Sequence, residues 1–387
     1  MKKPFYLILA GISLLGSQSC KKKNSDPEPV PVSTPVNTEA ATKVWKTLNG
    51  KQPLVIGHRG YAGLRPDHTI AGYVLAIEKG ADFVEPDLCM TKDGHLICRH
   101  EPMMSGTTNV KDHPEFASYK TKKFLDGDSI TDWFVCDFTL AEIKTLRAIQ
   151  PLSGAPSNRS KEFDGMFSIP TFQEMIEVVK SESSARGRTV GIYPETKHPT
   201  FHEGRGLKIT DKVLEILTLN GWNNADAPVY LQSFEVSNLQ YARSKSTVKI
   251  VQLIDADDVD NDGNITLAPP SAQPFDFVVS KNPQTFKYLT TNEGLDFVKT
   301  YANGIGPWKP YIIPYRNNTK ERLKPTDLVQ RAHARNLVVH PFTFRKEPFR
   351  LLKDYNGDFQ AELKDFYDLG VDGLFTDFSE EAVAARK

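Results

Sequence analysis

Three short stretches of this sequence collect the side chains that move protons and hold cations. The first is LVIGHRG at 54–60, an apolar run that ends on His58 and Arg59 between two glycines. A strand that only packs closes in ordinary turn residues, whereas one that delivers polar groups to a pocket closes in this way. The second is ADFVEPDLCMTKDGHLICRHEP at 81–102. Glu85 and Asp87 are two apart, so on a strand they share one face, roughly 7 Å from each other. Two carboxylates on a buried strand repel and are costly to desolvate. A divalent cation between them removes both costs. A solvated edge strand of alternating acids is the plain alternative, and the apolar neighbours Phe83, Val84 and Leu88 argue against it.

The Asp93-Gly94 step signals a two-residue hairpin loop. Partners then sum to 187, with Cys89 opposite Cys98 and Asp87 opposite His100. Directly opposed residues have side chains about 5 Å apart at Cβ. This register sets His100 beside the carboxylate pair, and a one-residue bulge would turn it away. Cys89 and Cys98 would lie about 4.5 Å apart at Cα, the short end of disulfide geometry. A hairpin disulfide and two buried thiols both fit that spacing, and Cys136 has no evident partner. The third stretch, GIYPETKHP at 191–199, ends an apolar run on Glu195 with Lys197 two residues on. Alone this reads as a surface ion pair.

Together the three stretches supply two histidines, three carboxylates, an arginine and a lysine, all near strand ends. Glu85, Asp87 and Glu195 suit one hard divalent cation, Ca²⁺ or Mg²⁺, which hard-oxygen chemistry alone does not separate. The cation and Arg59 would neutralise phosphate oxygens, with Lys197 as a further phosphate contact. His58 and His100 would act as general base and general acid. Gly60 would let the chain turn so that neighbouring side chains reach one pocket.

These residues need strands to present them. Apolar or β-branched runs recur at 54–58, 82–88, 190–195, 229–233, 248–253, 303–307, 337–341 and 372–376. Amphipathic stretches lie between them, among them Thr69–Lys79, Thr171–Ser181, Lys208–Asn220 and Thr326–Asn336. Such alternation predicts parallel βαβ units in an α/β fold. Eight strands fit a (β/α)8 TIM barrel, whose active residues sit at the C-terminal strand ends; a doubly wound sheet is the rival. Residues 101–189 are too long for one connection and read as an inserted subdomain after the first hairpin. Residues 255–300 read as a second, smaller elaboration. DVDNDG at 258–263 opens like an EF-hand loop, but its twelfth position is Pro269 where the loop needs Glu. An acidic solvated turn is expected there.

The chain has 387 residues, with Lys+Arg and Asp+Glu balanced at 48 each. That balance excludes a protein built to coat nucleic acid. Residues 1–20 read as a signal peptide of lipoprotein type: Lys2-Lys3, an apolar run from Phe5 to Leu15, then Cys20. The usual lipobox prefers Leu where Ser17 stands. Residues 21–44, rich in Pro, Ser and Thr, read as a flexible linker, and 45–387 as the folded domain. The expected product is exported, periplasmic or outer-membrane-attached in a bacterium, touching a membrane only through lipid on Cys20.

At this point the sequence resembles the glycerophosphodiester phosphodiesterase family, most of all its large periplasmic bacterial members. The matching pieces are HRGYAGLRPDHT, GADFVEPDLCMTKDG, Arg99-His100, DFTLAEIKTL, IPTF, GIYPETKHP, LQSF, GIGP, LVVHPFT and GVDGLFTDF, in order from about residue 45 onward. The resemblance implies a TIM barrel that hydrolyses deacylated phospholipids to sn-glycerol 3-phosphate and an alcohol. It implies His58 and His100 as the catalytic pair, and Glu85, Asp87 and Glu195 as metal ligands. Arg59 and Lys197 would hold the phosphate of a small-molecule substrate. The family's route through a cyclic phosphate would have the glycerol 2-hydroxyl attack before water. Two positions depart from the pattern: Asp67 stands where Glu is usual, and Glu101 where Asp is usual. Two other readings stay open, a hydrolase of polymeric glycerophosphate such as teichoic acid and a non-catalytic phosphodiester-binding lipoprotein. Phe234, Trp308 and Phe375 are read as core residues before substrate contacts.

Overall fold

The strands alternate between two cores, and that alternation sets the architecture. Val55, Ile250 and Leu374 pack outward, while their neighbours Ile56, Val251 and Phe375 pack inward. A period of two with both faces apolar is the pattern of a parallel sheet covered by helices. In the computed structural model, which describes residues 44–151 and 159–387, eight parallel strands close into a barrel. The signal segment 1–20 and nearly all of the linker lie outside the described residues.

The first strand is Leu54–Gly57 and the eighth Gly373–Thr376, paired with Ile56 beside Phe375. The second runs in two pieces, Phe83–Val84 and Asp87–Met90, and the third in Gly191–Ile192 and Glu195–Thr196. Pro86 and Pro194, which lack an N–H, interrupt each. Tyr230–Ser233, Lys249–Ile254, Gly304–Pro307 and Val338–Val339 follow as the fourth to seventh. The seventh meets the eighth through Asp372 N–H to Val339 O at 2.9 Å and a bridge between Phe344 and Thr376. All eight expected strands are present, and each is followed by a helix of the outer layer. Thr69 caps the first of these, Ile70–Glu78. Thr171 and Glu174 form a capping box on the second, Phe172–Ala185.

The insertion begins where the second strand's hairpin partner, Leu96–Cys98, ends, and it carries its own core. Met104, Val110, Phe116, Trp133, Phe138 and Ile143 pack there with Cys89 and Ile97. Its one long hairpin, Lys120–Leu125 with Asp128–Trp133, turns at Asp126-Gly127. The helix Phe172–Ala185 packs on the barrel beside Ile70–Glu78, so the insertion proper stops near residue 171. The DVDNDG stretch forms a small hairpin in which Asp258 pairs with Thr266. Asp260 caps the turn, accepting from the N–H groups of Asp262 and Asn264. Its carboxylate is used by the turn, as expected for an acidic loop.

The hairpin register differs from the expected one. Leu88 pairs with Cys98 and Cys89 with Ile97, a sum of 186 in place of 187. Lys92-Asp93-Gly94 forms a three-residue loop, closed by Thr91 N–H to His95 O at 2.9 Å, with Gly94 at φ 80°. Contacts with the insertion hold this loop. Asp93 accepts from Leu140 N–H at 3.0 Å, and Lys92 N–H reaches Phe138 O at 2.8 Å. Cys89 and Cys98 therefore belong to different cores, and both are free thiols, as is Cys136.

Candidate active site

Strand register builds the carboxylate cluster. Asp87 is the direct partner of Glu195 across the second and third strands, and Glu195 of Gln232 across the third and fourth. Glu85, two residues before Asp87, shares its face. Ligand oxygens of Glu85, Asp87 and Glu195 lie within 4.8 Å of one another, and all three residues are buried. Gln232 donates to Glu85 Oε1 at 2.8 Å, and Lys197 Nζ to Glu195 Oε1 at 2.7 Å.

Burial first, and then the neighbouring carboxylates, push the Glu85 carboxyl well above its ordinary range. Burial also drives Glu195 up to about 8, with Lys197 opposing and Asp87 adding to the rise. Asp87 goes the other way. Burial raises it, but His68, whose Nε2 lies 3.0 Å from Asp87 Oδ2, together with His100 and Lys197, holds it well below the usual range. Asp87 Oδ1 is buried with no partner. Three crowded hard oxygens, one of them unpaired, fit a divalent cation.

His58 leaves the first strand with its N–H on Thr376 O at 3.0 Å. Arg59 follows at φ 55° and Gly60 at φ 89°. A Cβ on Gly60 would stand 2.8 Å from the Gly72 carbonyl carbon, so only glycine closes this turn. The left-handed Arg59 backbone is held by its N–H on Glu85 Oε2 at 3.0 Å. Its guanidinium reaches Asp67 Oδ2 at 2.9 Å and Asp87 Oδ2 at 3.6 Å. Asp67, the shorter acid of the PDHT stretch, thus reaches Arg59 directly.

Both histidines expected to carry protons line one cavity of ≈ 480 Å³ with the three carboxylates, Arg59 and Lys197. His58 Nδ1 lies 2.5 Å from Asp377 Oδ1, and its Nε2 3.9 Å from Glu85 Oε2. Burial lowers the His58 imidazole to about 4 despite Asp377. His100 Nδ1 lies 2.6 Å from Glu101 Oε1. Burial, then Arg59 and Lys197, lower His100 to about 3. Strand pairing does not deliver His100, because the partner of Asp87 is Arg99, joined to it by an N–H···O bond of 2.7 Å. The chain leaves the ladder at Arg99, and His100 enters the cavity from the bend beyond it.

Sequence reasoning missed the groups behind these residues. Asp377 is fully buried and accepts from Arg159 at 2.5 Å and Arg345 at 2.8 Å on its other oxygen. Those cations and His58 hold its carboxyl well below the usual range against the effect of burial. Its signal was present: GVDGLFTDF ends an apolar run on an acid, as LVIGHR ends one on His58. His68, wedged between Asp87 and the Tyr73 hydroxyl at 2.9 Å, had a weaker one. Arg159 had none. Of the three aromatics, Phe375 is buried in the barrel interior and Phe234 lines the cavity. Trp308 lines a neighbouring cavity of ≈ 350 Å³.

Residues 58–381 match the sequence profile described as the Glycerophosphoryl diester phosphodiesterase family. A glycerophosphodiester phosphodiesterase of Arabidopsis thaliana is 37% identical over 358 residues, covering 89% of this chain and 88% of that protein. One of Haemophilus influenzae is 30% identical over 349 residues, covering 86% and 90%. Among solved structures, an Oleispira antarctica phosphodiesterase in complex with the product sn-glycerol-3-phosphate aligns over 88% of this chain and 98% of its own. Its TM-score is 0.55 at 19% identity, a likeness of fold.

Proposed function

The chain belongs to the glycerophosphoryl diester phosphodiesterase family, and on that premise we propose how it works. It hydrolyses a glycerophosphodiester to sn-glycerol 3-phosphate and an alcohol, using His58 and His100 as proton carriers beside a divalent cation. The carrying observation is the matched setting of the two histidines. Each has Nδ1 on a carboxylate, Asp377 or Glu101, which keeps the proton on Nδ1 and leaves Nε2 for the substrate. Both are neutral at neutral pH, because burial lowers them to about 4 and about 3.

Glu85, Asp87 and Glu195 would hold the cation, Ca²⁺ before Mg²⁺, which when bound supplies positive charge to the phosphoryl oxygens. Arg59 and Lys197 add charge on the same phosphate. One imidazole takes the proton of the attacking oxygen at its free Nε2, while the other, which must take up a proton on Nε2 as the substrate binds, gives that proton to the leaving alkoxide. If the glycerol 2-hydroxyl attacks first, water then opens the cyclic phosphate with the roles reversed.

The test is release of sn-glycerol 3-phosphate from glycerophosphocholine, with and without chelator, by the chain from residue 21 onward. Release should stop with chelator and return with Ca²⁺. His58→Ala and His100→Ala should each lose about 10²-fold or more in kcat, the usual share of one general acid or base. Release unaffected by chelator, or by either substitution, would sink this mechanism. We also propose export with lipid on Cys20, from the charge and apolar order of residues 1–20. Palmitate should then label the full chain and not Cys20→Ser, and equal labelling would refute it.

A further inference from the structure

One side of the cavity, an arm lined by aromatic rings, holds no group that the proposed reaction uses. Lys197 Nζ stands 5.5 Å from the centre of the Phe234 ring. Phe234 meets Phe286 and Phe342 edge-on, at 6.1 and 5.8 Å between ring centres. All three rings line the cavity, and Asp255, just beyond the fifth strand's C-terminal end, lines it with them. Asp255 and Phe342 also border the neighbouring cavity, so they stand where the two spaces meet.

Several carboxylates of this cavity have side-chain or backbone partners: Asp126 is taken by His198, Glu235 by Thr200 and Glu195 by Lys197, while Asp128, at the tip of the insertion's hairpin, is exposed. Asp255 is met by the backbone amide of Ala256 and by no side chain among the described residues. Lys197, whose charge reaches Asp255, is itself bonded to Glu195. A carboxylate without a side-chain partner beside three aromatic rings is a setting that favours an organic cation, since ring faces attract ammonium groups. Neutral hydroxyls draw no such benefit from the rings.

We propose that this arm receives the alcohol half of the diester, and that Asp255 makes it prefer an alcohol carrying an ammonium group over a neutral one. The proposal rests on the phosphodiesterase reading for its orientation, with phosphate at Arg59 and Lys197 and the alcohol beyond Phe234. The competing role for Asp255 is to accept a hydroxyl of the glycerol half, which every substrate shares.

Two measurements on the soluble chain separate these. The first is the ratio of kcat/KM for glycerophosphocholine over glycerophosphoglycerol. In Asp255→Asn this ratio should fall by about tenfold, the size of one lost charged contact. Phe234→Leu should lower it in the same direction, which covers the case of an Asp255 variant that does not fold. An unchanged ratio, with both substrates losing equally, assigns Asp255 to the glycerol half and overturns the proposal. The second is calorimetric binding of choline against its neutral isostere 3,3-dimethyl-1-butanol. Choline should bind the wild type more tightly, and Asp255→Asn should erase the difference. Equal binding of the two overturns the proposal even if hydrolysis proceeds. Preferential choline binding by a chain that cleaves neither diester would uphold this site and defeat the phosphodiesterase reading instead.

Discussion

A buried histidine does not hold its own orientation. His58 is fixed by Asp377 through Nδ1, and Asp377 is fixed by Arg159 and Arg345 on its second oxygen. The carboxylate thus sets the tautomer that leaves Nε2 free. Asp377→Asn keeps the shape and removes the charge. It should lower kcat by about 10²-fold, the value of one oriented general base, while KM for glycerophosphocholine changes little. It should also lower the melting temperature, because the buried Arg159 and the half-buried Arg345 each lose a charged partner. A kcat within a few fold of wild type would show that His58 needs no such carboxylate. The same relay marks what could be read from sequence. His58, Arg59, Glu85, Asp87, Glu195 and Lys197 stand at the ends of apolar runs or at spacing two, and local pattern carries both signals. Asp377 lies 319 residues from His58, and Arg159 lies 218 residues from Asp377. Such pairings arise from barrel closure and from an insertion folding back, which no local period encodes.

At the scale of elements, strands and helices were legible because apolar side chains alternate between the two cores along strands such as Leu54–Gly57, and helices such as Ile70–Glu78 and Phe172–Ala185 begin at a Thr cap. The hairpin register was not. Asp-Gly marks a turn, but it does not say whether two or three residues form the loop. Here the insertion decides, by binding Asp93 at Leu140 N–H and Lys92 at Phe138 O. The one-residue slip separates Cys89 from Cys98 and replaces His100 by Arg99 opposite Asp87. It leaves the site intact because His100 lies beyond the ladder, where register no longer governs it. The insertion then meets the cavity at its hairpin tip and the support of His58 at Arg159. Asp126 and Asp128, at the tip of its hairpin, line the wall, with Asp126 on His198 at 2.6 Å. Arg159 crosses to the eighth strand's end and grips Asp377, Glu347 and the Ala62 carbonyl. An element that read as a rim in the sequence is part of the support under His58.

At the scale of the whole barrel, the active end stands on an interior filled with aromatic rings. Tyr193, Tyr230 and Phe375 pack there, the two tyrosines edge-on to His340, which is fully buried and bonded at Nδ1 to the Tyr193 hydroxyl at 2.8 Å. Its Nε2 has no partner. Burial lowers this imidazole from 6.5 to about 4, with Asp372 opposing. The sign follows from the proton count. Above pH 6.5 neither the folded nor the unfolded chain protonates this group, and its full contribution to stability is present. Between 6.5 and about 4 the unfolded chain takes up a proton that the folded chain refuses, so stability falls with pH. Below about 4 both states carry it and the loss levels off. A gap of that size corresponds to about 3 kcal/mol. His340→Gln keeps a hydrogen-bonding group near Tyr193 and cannot titrate. Its melting temperature at pH 7 should lie below that of the wild type, because a ring packed among rings is lost. Between pH 7 and pH 4.5, however, its melting temperature should fall by less than the wild type's. Parallel curves for the two proteins would mean that His340 is solvated or charged in the folded barrel, and that acid sensitivity resides in other groups. At pH 7 the interior histidine is neutral, so the barrel is already near the upper plateau of that contribution.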